Sequence, residues 1–174
     1  LHTGDPSLYG AIREQMDRLD ELGIKYDICP GVSSFCGAAA ALRAEYTLPD
    51  VSQTVIITRM AGRTPVPEKE SIAALAAHNA TMVIFLSTGL LKELSAELIR
   101  GGYKPDTPAA IVYKASWADQ KVCRCTVEDL AQTAADNGIT KTALICVGYF
   151  LGNDYSLSKL YDKSFETEFR KAEI

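Results

Sequence analysis

Apolar residues recur along this chain with two different spacings, one typical of helices and one typical of strands. Helical spacing predicts a helix over residues 9–22, and Gly23 marks its end. A short apolar run then predicts a strand over residues 26–29, and an alanine-rich run predicts a helix over residues 35–43. Turn, helix, strand, turn and helix in this order are typical of a parallel αβ unit.

The rest of the chain is richer in strand signals. A polar stretch, EYTLPDVSQ, predicts a domain boundary near residues 46–52. Beyond it, strands are predicted over residues 54–58, 81–86, 109–113 and 143–147. Helices are predicted over residues 72–77 and 90–100, and the segment CRCTVED is predicted to lead from a strand into a helix. This alternation predicts a mixed sheet that is covered by helices.

The sequence therefore predicts an α/β protein in two unequal parts. Residues 1–47 are expected to belong to a parallel αβ domain, and residues 52–150 are expected to form a mixed-sheet αβ domain. The tail, residues 151–174, is polar and aromatic. It fits an amphipathic end helix, an oligomer contact or a partly disordered segment.

Composition narrows the class of partner. The chain has 174 residues, of which 47% are hydrophobic, and a net charge of −4. A weakly acidic balance lacks the basic patch that nucleic acid requires, and the apolar runs are too short to span a bilayer. Neither nucleic acid nor a membrane is therefore expected as a partner.

The cysteines predict no metal site. The chain has five of them without a CxxC pair, at positions 29, 36, 123, 125 and 146. They are interpreted as reduced thiols in a cytoplasmic protein. The two histidines, His2 and His78, lie far from Cys123 and Cys125 in the sequence, so no metal cofactor is expected.

Two turns carry candidate chemistry. Gly4-Asp5-Pro6 stands before the first predicted helix, where backbone N–H groups bind an anion or Asp5 binds a ribose hydroxyl; the alternative is a purely structural turn. Ser33 and Ser34 open the second helix, where they cap it or bind a ligand, or divide these roles between them. We expect both turns at the carboxyl ends of neighbouring parallel strands, where open α/β sheets place their ligands.

A pair of arginines suggests an anionic substrate. Arg59 and Arg63 flank the residues MAG in a proline-rich loop after a predicted strand. Two guanidinium groups there suit bidentate binding of carboxylates or phosphates, and the alternative is a solvated loop in which they pair with Glu68 and Glu70. No acid–base pair, Ser-His-Asp arrangement or Walker lysine is recognisable. The residues therefore favour a cofactor-binding enzyme with an anionic substrate.

Five longer stretches add a stronger signal. In chain order they read LHTGDPSLYG, CPGVSSFCGAAAAL, TLPDVSQTVIITRMAGRTPVPEKESIAALAAHNATMVIFLS, GGYKPDTPAAIVYKASWADQKV and ALICVGYFLG. Together they resemble the S-adenosylmethionine-dependent tetrapyrrole methylases of corrin biosynthesis. Within that family, TRMAGRTPVPE and YKASW most resemble the branch that methylates carbon 11 of precorrin-4 or cobalt-precorrin-4.

The resemblance implies a fold and an assembly. The family has two α/β domains with S-adenosylmethionine bound between them, and its members are usually homodimers. The match covers the chain except for roughly its last twenty residues, and it corresponds to the C-terminal two thirds of the family. Residues 1–47 would then be the remainder of the N-terminal cofactor-binding domain.

The resemblance also implies the chemistry and its residues. The sulfonium methyl passes directly to a nucleophilic ring carbon, which requires alignment rather than a catalytic side chain, so no catalytic residue is assigned. The family's cofactor contacts correspond to seven residues, namely Gly4, Asp5, Leu8, Ser33, Ser34, Leu86 and Ala115. Arg59 and Arg63 are expected to hold the acetates and propionates of the substrate, with Lys114 and Arg43 as weaker candidates.

Two alternatives stay open at this point. Relatives in the superfamily methylate other precorrins, uroporphyrinogen, ribosomal RNA or a modified histidine precursor, and the net charge of −4 disfavours the RNA case. The other alternative is a non-catalytic binding or scaffolding piece, since the family's first strand and its glycine- and proline-rich loop have no match here.

Overall fold

Five short runs of β-branched and apolar residues form one mixed sheet in the computed structural model, which describes residues 2–158, 162, 164–166, 168 and 171. The strands are β1 (Val55–Arg59), β2 (Thr81–Phe85), β3 (Pro108–Tyr113), β4 (Lys121–Thr126) and β5 (Ala143–Val147). The predicted mixed sheet is confirmed, with strand ends within two residues of those expected from the sequence.

Strand directions decide which loops meet. The order in the sheet is β1-β2-β5-β3-β4; β1 pairs with β2 in parallel, and all other pairs are antiparallel. Strands β1, β2 and β3 therefore run in one direction and end at the same edge, which we call the carboxyl edge. Open α/β sheets bind their ligands beyond such an edge.

Helices cover both faces of the sheet. The helices are α1 (Ile12–Glu21), which buries none of its residues, and α2 (Ser34–Leu42), α3 (Ile72–Ala76), α4 (Leu91–Arg100) and α5 (Leu130–Asp136), which cover the sheet. Met82, Ile84 and Ile145 point to one face and are fully buried beneath α3, α4 and α5. Because side chains alternate along a strand, Val83 and Cys146 point to the other face, where Ala38 and Leu42 of α2 cover them.

Tyr46 joins α2 to this second face. Its hydroxyl donates a hydrogen bond of 2.7 Å to the Phe35 carbonyl in the first turn of α2. Its own carbonyl accepts one of 2.8 Å from the Thr81 hydroxyl at the start of β2. Its ring contacts Phe150 edge-on, with 5.1 Å between the ring centroids. Helix α2 is therefore anchored to the sheet, and with it the turn that precedes α2.

Two sequence predictions near the start need correction. Residues 26–29 were predicted to form a strand, but they form none, because no described strand lies beside them to complete a hydrogen-bonded ladder. The alternating side chains of Ile24, Tyr26 and Ile28 are consequently exposed. The first helix begins at Ile12 rather than near residue 9, because Tyr9 and Ala11 adopt left-handed backbone angles with φ of 55° and 48°.

The tail stays open as a prediction. Residues 152–158 are exposed and outside any helix or strand, and most of the remaining tail lies outside the described residues. Among the helices of the described residues, none combines the length and the apolar character that crossing a membrane requires.

Candidate functional site at the carboxyl edge

The two predicted turns lie against each other, but neither follows a strand in the described residues, so the expectation that they stand at the carboxyl ends of parallel strands is wrong. Gly4 has a left-handed backbone, and a Cβ at this position would lie 3.5 Å from Ser33 Cα. The contact is tighter at Gly31, where a Cβ would lie 2.0 Å from the Gly4 carbonyl oxygen. Any side chain at position 31 would therefore push the turns apart, and glycine is needed there.

The Asp5 carboxylate joins the two turns. One of its oxygens accepts a 2.9 Å hydrogen bond from the Gly31 amide. The other accepts one of 2.9 Å from the Ser7 amide and a further one from the Ser7 hydroxyl. The Ser7 hydroxyl and the two amides lower the pKa of Asp5 below its ordinary value, so the group is ionised at neutral pH. Within the described structure, Asp5 thus fixes the second turn against the first.

The second turn leads into α2. Ser33 takes an extended backbone at the position before α2, and its carbonyl accepts a 3.0 Å hydrogen bond from the Cys36 amide. Its hydroxyl makes no capping bond to the helix, so capping by Ser33 is not observed. The first amides of a helix lack partners within it, and here the Ser33 and Ser34 hydroxyls lie beside them. This group of donors suits the carboxylate or ribose hydroxyls of a cofactor.

Leu86 follows β2 at the carboxyl edge in a strained conformation. Its φ is 52°, a left-handed backbone that costs a non-glycine residue about 1–2 kcal/mol. Its side chain is nonetheless 72% exposed, so burial of this leucine does not compensate for the strain. Strain of this kind is concentrated at ligand contacts.

The next residue, Ser87, anchors this strained backbone by hydrogen bonds. It is fully buried; its hydroxyl donates 2.7 Å to the Phe85 carbonyl and accepts 2.9 Å from the Met60 amide. The loop after β2 is thereby tied to the loop after β1. The sequence did not predict the role of Ser87, because a serine after an apolar strand is an ordinary loop residue. The role of Tyr46 in anchoring α2 was not predicted either, although an aromatic residue in a polar linker indicates a buried contact.

Further contacts bring the start of the chain to this edge. The rings of Tyr9 and Phe85 have centroids 5.3 Å apart, so the residue that follows Leu8 contacts the end of β2. Burial raises the pKa of Tyr9, and the positive charge of Arg59 opposes this shift, so the Arg59 guanidinium also faces this region.

Ala115 completes the arrangement from β3. It lies two residues beyond the end of β3, and a Cβ on Gly37 of α2 would be 3.4 Å from its methyl group. The first turn, the α2 start, the β2 end and the β3 end are therefore linked by direct contacts. These four segments contain all seven residues predicted to contact the cofactor.

The two predicted arginines differ in their surroundings. The Arg59 guanidinium donates to the carbonyls of Met60, Thr64 and Pro65 at 3.4, 3.2 and 2.8 Å. Arg63 is exposed, and neither arginine forms an ion pair with Glu68 or Glu70, all of which are described. The alternative of an ion-paired loop is therefore not observed.

The weaker candidates are also placed. Lys114 forms an ion pair with Asp119 and lies over the Trp117 ring, 5.2 Å from its centroid. Arg43 is an exposed left-handed residue that ends α2. Metal ligands are not grouped in the described ranges, where no three His, Cys, Asp or Glu residues lie close enough together to hold a metal ion. Burial also raises the pKa of the Cys146 thiol to about 12, so this thiol stays protonated.

Comparisons with known proteins agree with this geometry. Residues 1–131 match the family model of the tetrapyrrole (corrin/porphyrin) methylases. The chain is 56% identical over 173 residues to the cobalt-precorrin-4 C(11)-methyltransferase of Methanocaldococcus jannaschii, covering 99% of this chain and 67% of that protein. It is 45% identical over 174 residues to the precorrin-4 C(11)-methyltransferase of Pseudomonas aeruginosa, covering 99% of this chain and 69% of that protein.

Solved structures support the same assignment. An X-ray structure of a cobalt precorrin-4 methyltransferase, described as a cobalamin biosynthetic enzyme, matches with a TM-score of 0.85 and 51% identity. That match covers 87% of this chain and 64% of the other. The chain thus spans about two thirds of the length of its relatives. With three quarters of its residues in the family model and relatives at this identity, the chain belongs to the tetrapyrrole methylase family.

Proposed function

We propose that the protein carries out, or contributes to, S-adenosylmethionine-dependent methyl transfer to carbon 11 of precorrin-4 or cobalt-precorrin-4 in cobalamin biosynthesis. The observation that carries this proposal is the meeting of the two turns, Leu86 and Ala115 at one edge of the sheet. The 56% identity to a cobalt-precorrin-4 C(11)-methyltransferase supports carbon 11 as the methylated atom. The 29% identity to the uroporphyrinogen-III C-methyltransferase of Bacillus subtilis makes that substrate a weaker candidate.

The residues present fit the cofactor. The Ser33 and Ser34 hydroxyls and the first amides of α2 offer hydrogen bonds to a ribose or a carboxylate. The exposed Leu86 and the half-buried Leu8 offer apolar surface, and the small side chain of Ala115 lies close to Gly37 of α2. Gly4 and Asp5 complete the first turn. When bound there, S-adenosylmethionine supplies an electrophilic methyl group on its sulfonium.

The protein's part in the reaction is alignment. No described side chain is needed to activate a nucleophilic ring carbon, and holding two reactants in line contributes up to about 7–11 kcal/mol to lowering a barrier. The rigid contacts between the turns and between the loops after β1 and β2 provide such positioning. The loop after β1, which carries two arginines, adds positive charge beside the site and suits a substrate with acetates and propionates.

We propose a homodimer in the cytoplasm as the working form. The exposed apolar side chains of Leu22, Ile24, Ile28 and Val32 support an association, because apolar surface of this kind is usually covered in an assembly. The biosynthetic role of the relatives supports a cytoplasmic site of action.

A non-catalytic role is the second candidate. It is favoured by one observation, that both oxygens of the Asp5 carboxylate, a predicted cofactor contact, already accept hydrogen bonds from the Gly31 and Ser7 amides. Titration calorimetry with S-adenosylhomocysteine separates the two candidates. Micromolar binding with one site per chain is expected for the methylase, whereas no heat at millimolar ligand would exclude catalysis by this chain and leave its family membership intact.

A further inference from the structure

The loop after β1 is shaped by a single side chain. The Arg59 guanidinium reaches forward along its own loop and donates to three carbonyls, of which the Thr64 and Pro65 contacts, at 3.2 and 2.8 Å, lie within ordinary hydrogen-bond range. A further bond of 3.2 Å, from the Gly62 amide to the Thr64 carbonyl, narrows the loop. Arg59 thus occupies the inside of the loop.

Arg63 lies at the outside of the same loop. It is exposed, and within residues 2–158 its guanidinium forms no ion pair. A guanidinium has five donors in a planar fork. The two terminal nitrogens of Arg59 make three contacts with backbone carbonyls, whereas the Arg63 side chain is exposed to solvent. The two arginines therefore differ in what their guanidinium groups contact, although they lie in the same segment of the sequence.

The loop also has a fixed position against the cofactor residues. The Met60 amide donates to the hydroxyl of Ser87, the residue that follows Leu86, at 2.9 Å. A loop held at its base by Ser87 and folded by Arg59 presents Arg63 at one place relative to Leu86.

We propose that Arg59 is a positioning residue that folds this loop, and that Arg63 alone of the two binds a substrate carboxylate. The inference rests on the proposed function, because it takes the acidic tetrapyrrole as the ligand. It changes the sequence-based expectation that both arginines hold the substrate.

Binding of uroporphyrin III, a tetrapyrrole with eight carboxylates, tests the inference in the presence of saturating S-adenosylhomocysteine. Arg63→Ala is expected to weaken binding about tenfold through loss of one charge-assisted contact, and Arg63→Lys to stay within about threefold. Arg59→Lys keeps the charge but cannot satisfy the carbonyls in a fixed fork, so it is also expected to weaken binding about tenfold.

The double variant is decisive. If Arg59 acts only through Arg63, then Arg59→Lys has no further effect in the Arg63→Ala protein, and the double variant binds within about twofold of Arg63→Ala alone. A combined loss near a hundredfold would show that Arg59 contacts the ligand independently, which overturns the inference. Lys104→Ala, which removes an exposed charge before β3 at the opposite edge, controls for net charge and should bind normally.

Hydrogen exchange gives a readout that needs no ligand. The Gly62 amide, which donates to the Thr64 carbonyl, is expected to exchange at least about tenfold faster in Arg59→Lys and at the unsubstituted rate in Arg63→Ala, since only Arg59 holds the loop. Unchanged exchange in Arg59→Lys would overturn the inference. If the unsubstituted protein binds S-adenosylhomocysteine but not uroporphyrin, the carboxylate role of Arg63 fails while the cofactor part of the proposed function stands; if it binds neither, both fail.

Discussion

Replacing Gly31 by alanine should separate the two turns and weaken cofactor binding without unfolding the protein. The new Cβ would lie 2.0 Å from the Gly4 carbonyl oxygen and 3.0 Å from its carbon. Carbon and oxygen approach one another to about 3.3 Å without strain, so one turn must move by more than about 1 Å. Both sides of the clash are backbone, and no flexible side chain can yield.

The size of the effect follows from what this movement breaks. The 2.9 Å bond from the Gly31 amide to Asp5 would stretch beyond hydrogen-bond range. Overpacking typically costs about 1–3 kcal/mol, and this cost would have to be overcome whenever the turns close on a ligand. At about 1.4 kcal/mol per tenfold, the affinity for S-adenosylhomocysteine should fall between about fivefold and 150-fold.

Titration calorimetry measures this affinity, and Gly101→Ala is its matched control. A Cβ at Gly101 would lie 2.4 Å from the Ala73 carbonyl oxygen, a similar clash placed between α3 and α4 instead of in the site. This variant should lose about 1–3 kcal/mol of unfolding free energy and bind the cofactor product normally. If Gly31→Ala binds within threefold of the unsubstituted protein, the two turns do not form the cofactor site.

Three further outcomes are expected. Leu86→Gly relieves the strain of a left-handed leucine but increases the entropy of the unfolded chain, so denaturant unfolding should show a free-energy change of less than about 1 kcal/mol. Calorimetry of the same variant should show at least about fivefold weaker cofactor binding, because the apolar side chain is lost. Tyr46→Phe removes the bond to Phe35, so the unfolding free energy should fall by about 1 kcal/mol and Tm by about 2–4 °C; an unchanged Tm would refute this contribution. The Asp5 carboxyl should titrate below its ordinary pKa in carbon NMR, so the turn contact persists at neutral pH and is lost only as the pH falls through that lowered value.

The fold could be predicted from the sequence wherever local pattern and tertiary environment agree. The β-branched and apolar runs of β2 and β5 are buried on both faces, so their hydrophobicity alone located them. Residues 26–29 also have a pattern that predicts a strand, with Tyr26 and Ile28 on either side of Asp27, but they form none, because a strand depends on a neighbour that the pattern cannot supply. The late start of α1 has a similar origin, since the left-handed angles at Tyr9 and Ala11 belong to the turn rather than to any helical preference.

The sequence predicted which residues lie in the candidate site better than it predicted what each of them contacts. The resemblance selected seven residues in four segments, and the direction of the strands explains why two of these segments, those after β2 and β3, lie at the same edge. It could not say that Asp5 uses both carboxylate oxygens within the protein, because the contacts with Ser7 and Gly31 depend on how the turns pack.

The arginine pair shows where this limit lies physically. A sequence motif records that Arg59 and Arg63 carry the same charge four residues apart in a loop that is not helical, and nothing in that spacing says which one turns inward. Arg59 is the arginine that turns into the loop, because it is the last residue of β1. Strand β1 fixes its backbone, and the carbonyls of residues 64 and 65 then lie within reach of its guanidinium. The Arg63 side chain is exposed to solvent, where the substrate carboxylate proposed above would reach it. The division of roles is therefore a consequence of the loop's path, and a lysine at position 59 would preserve the charge but not the division.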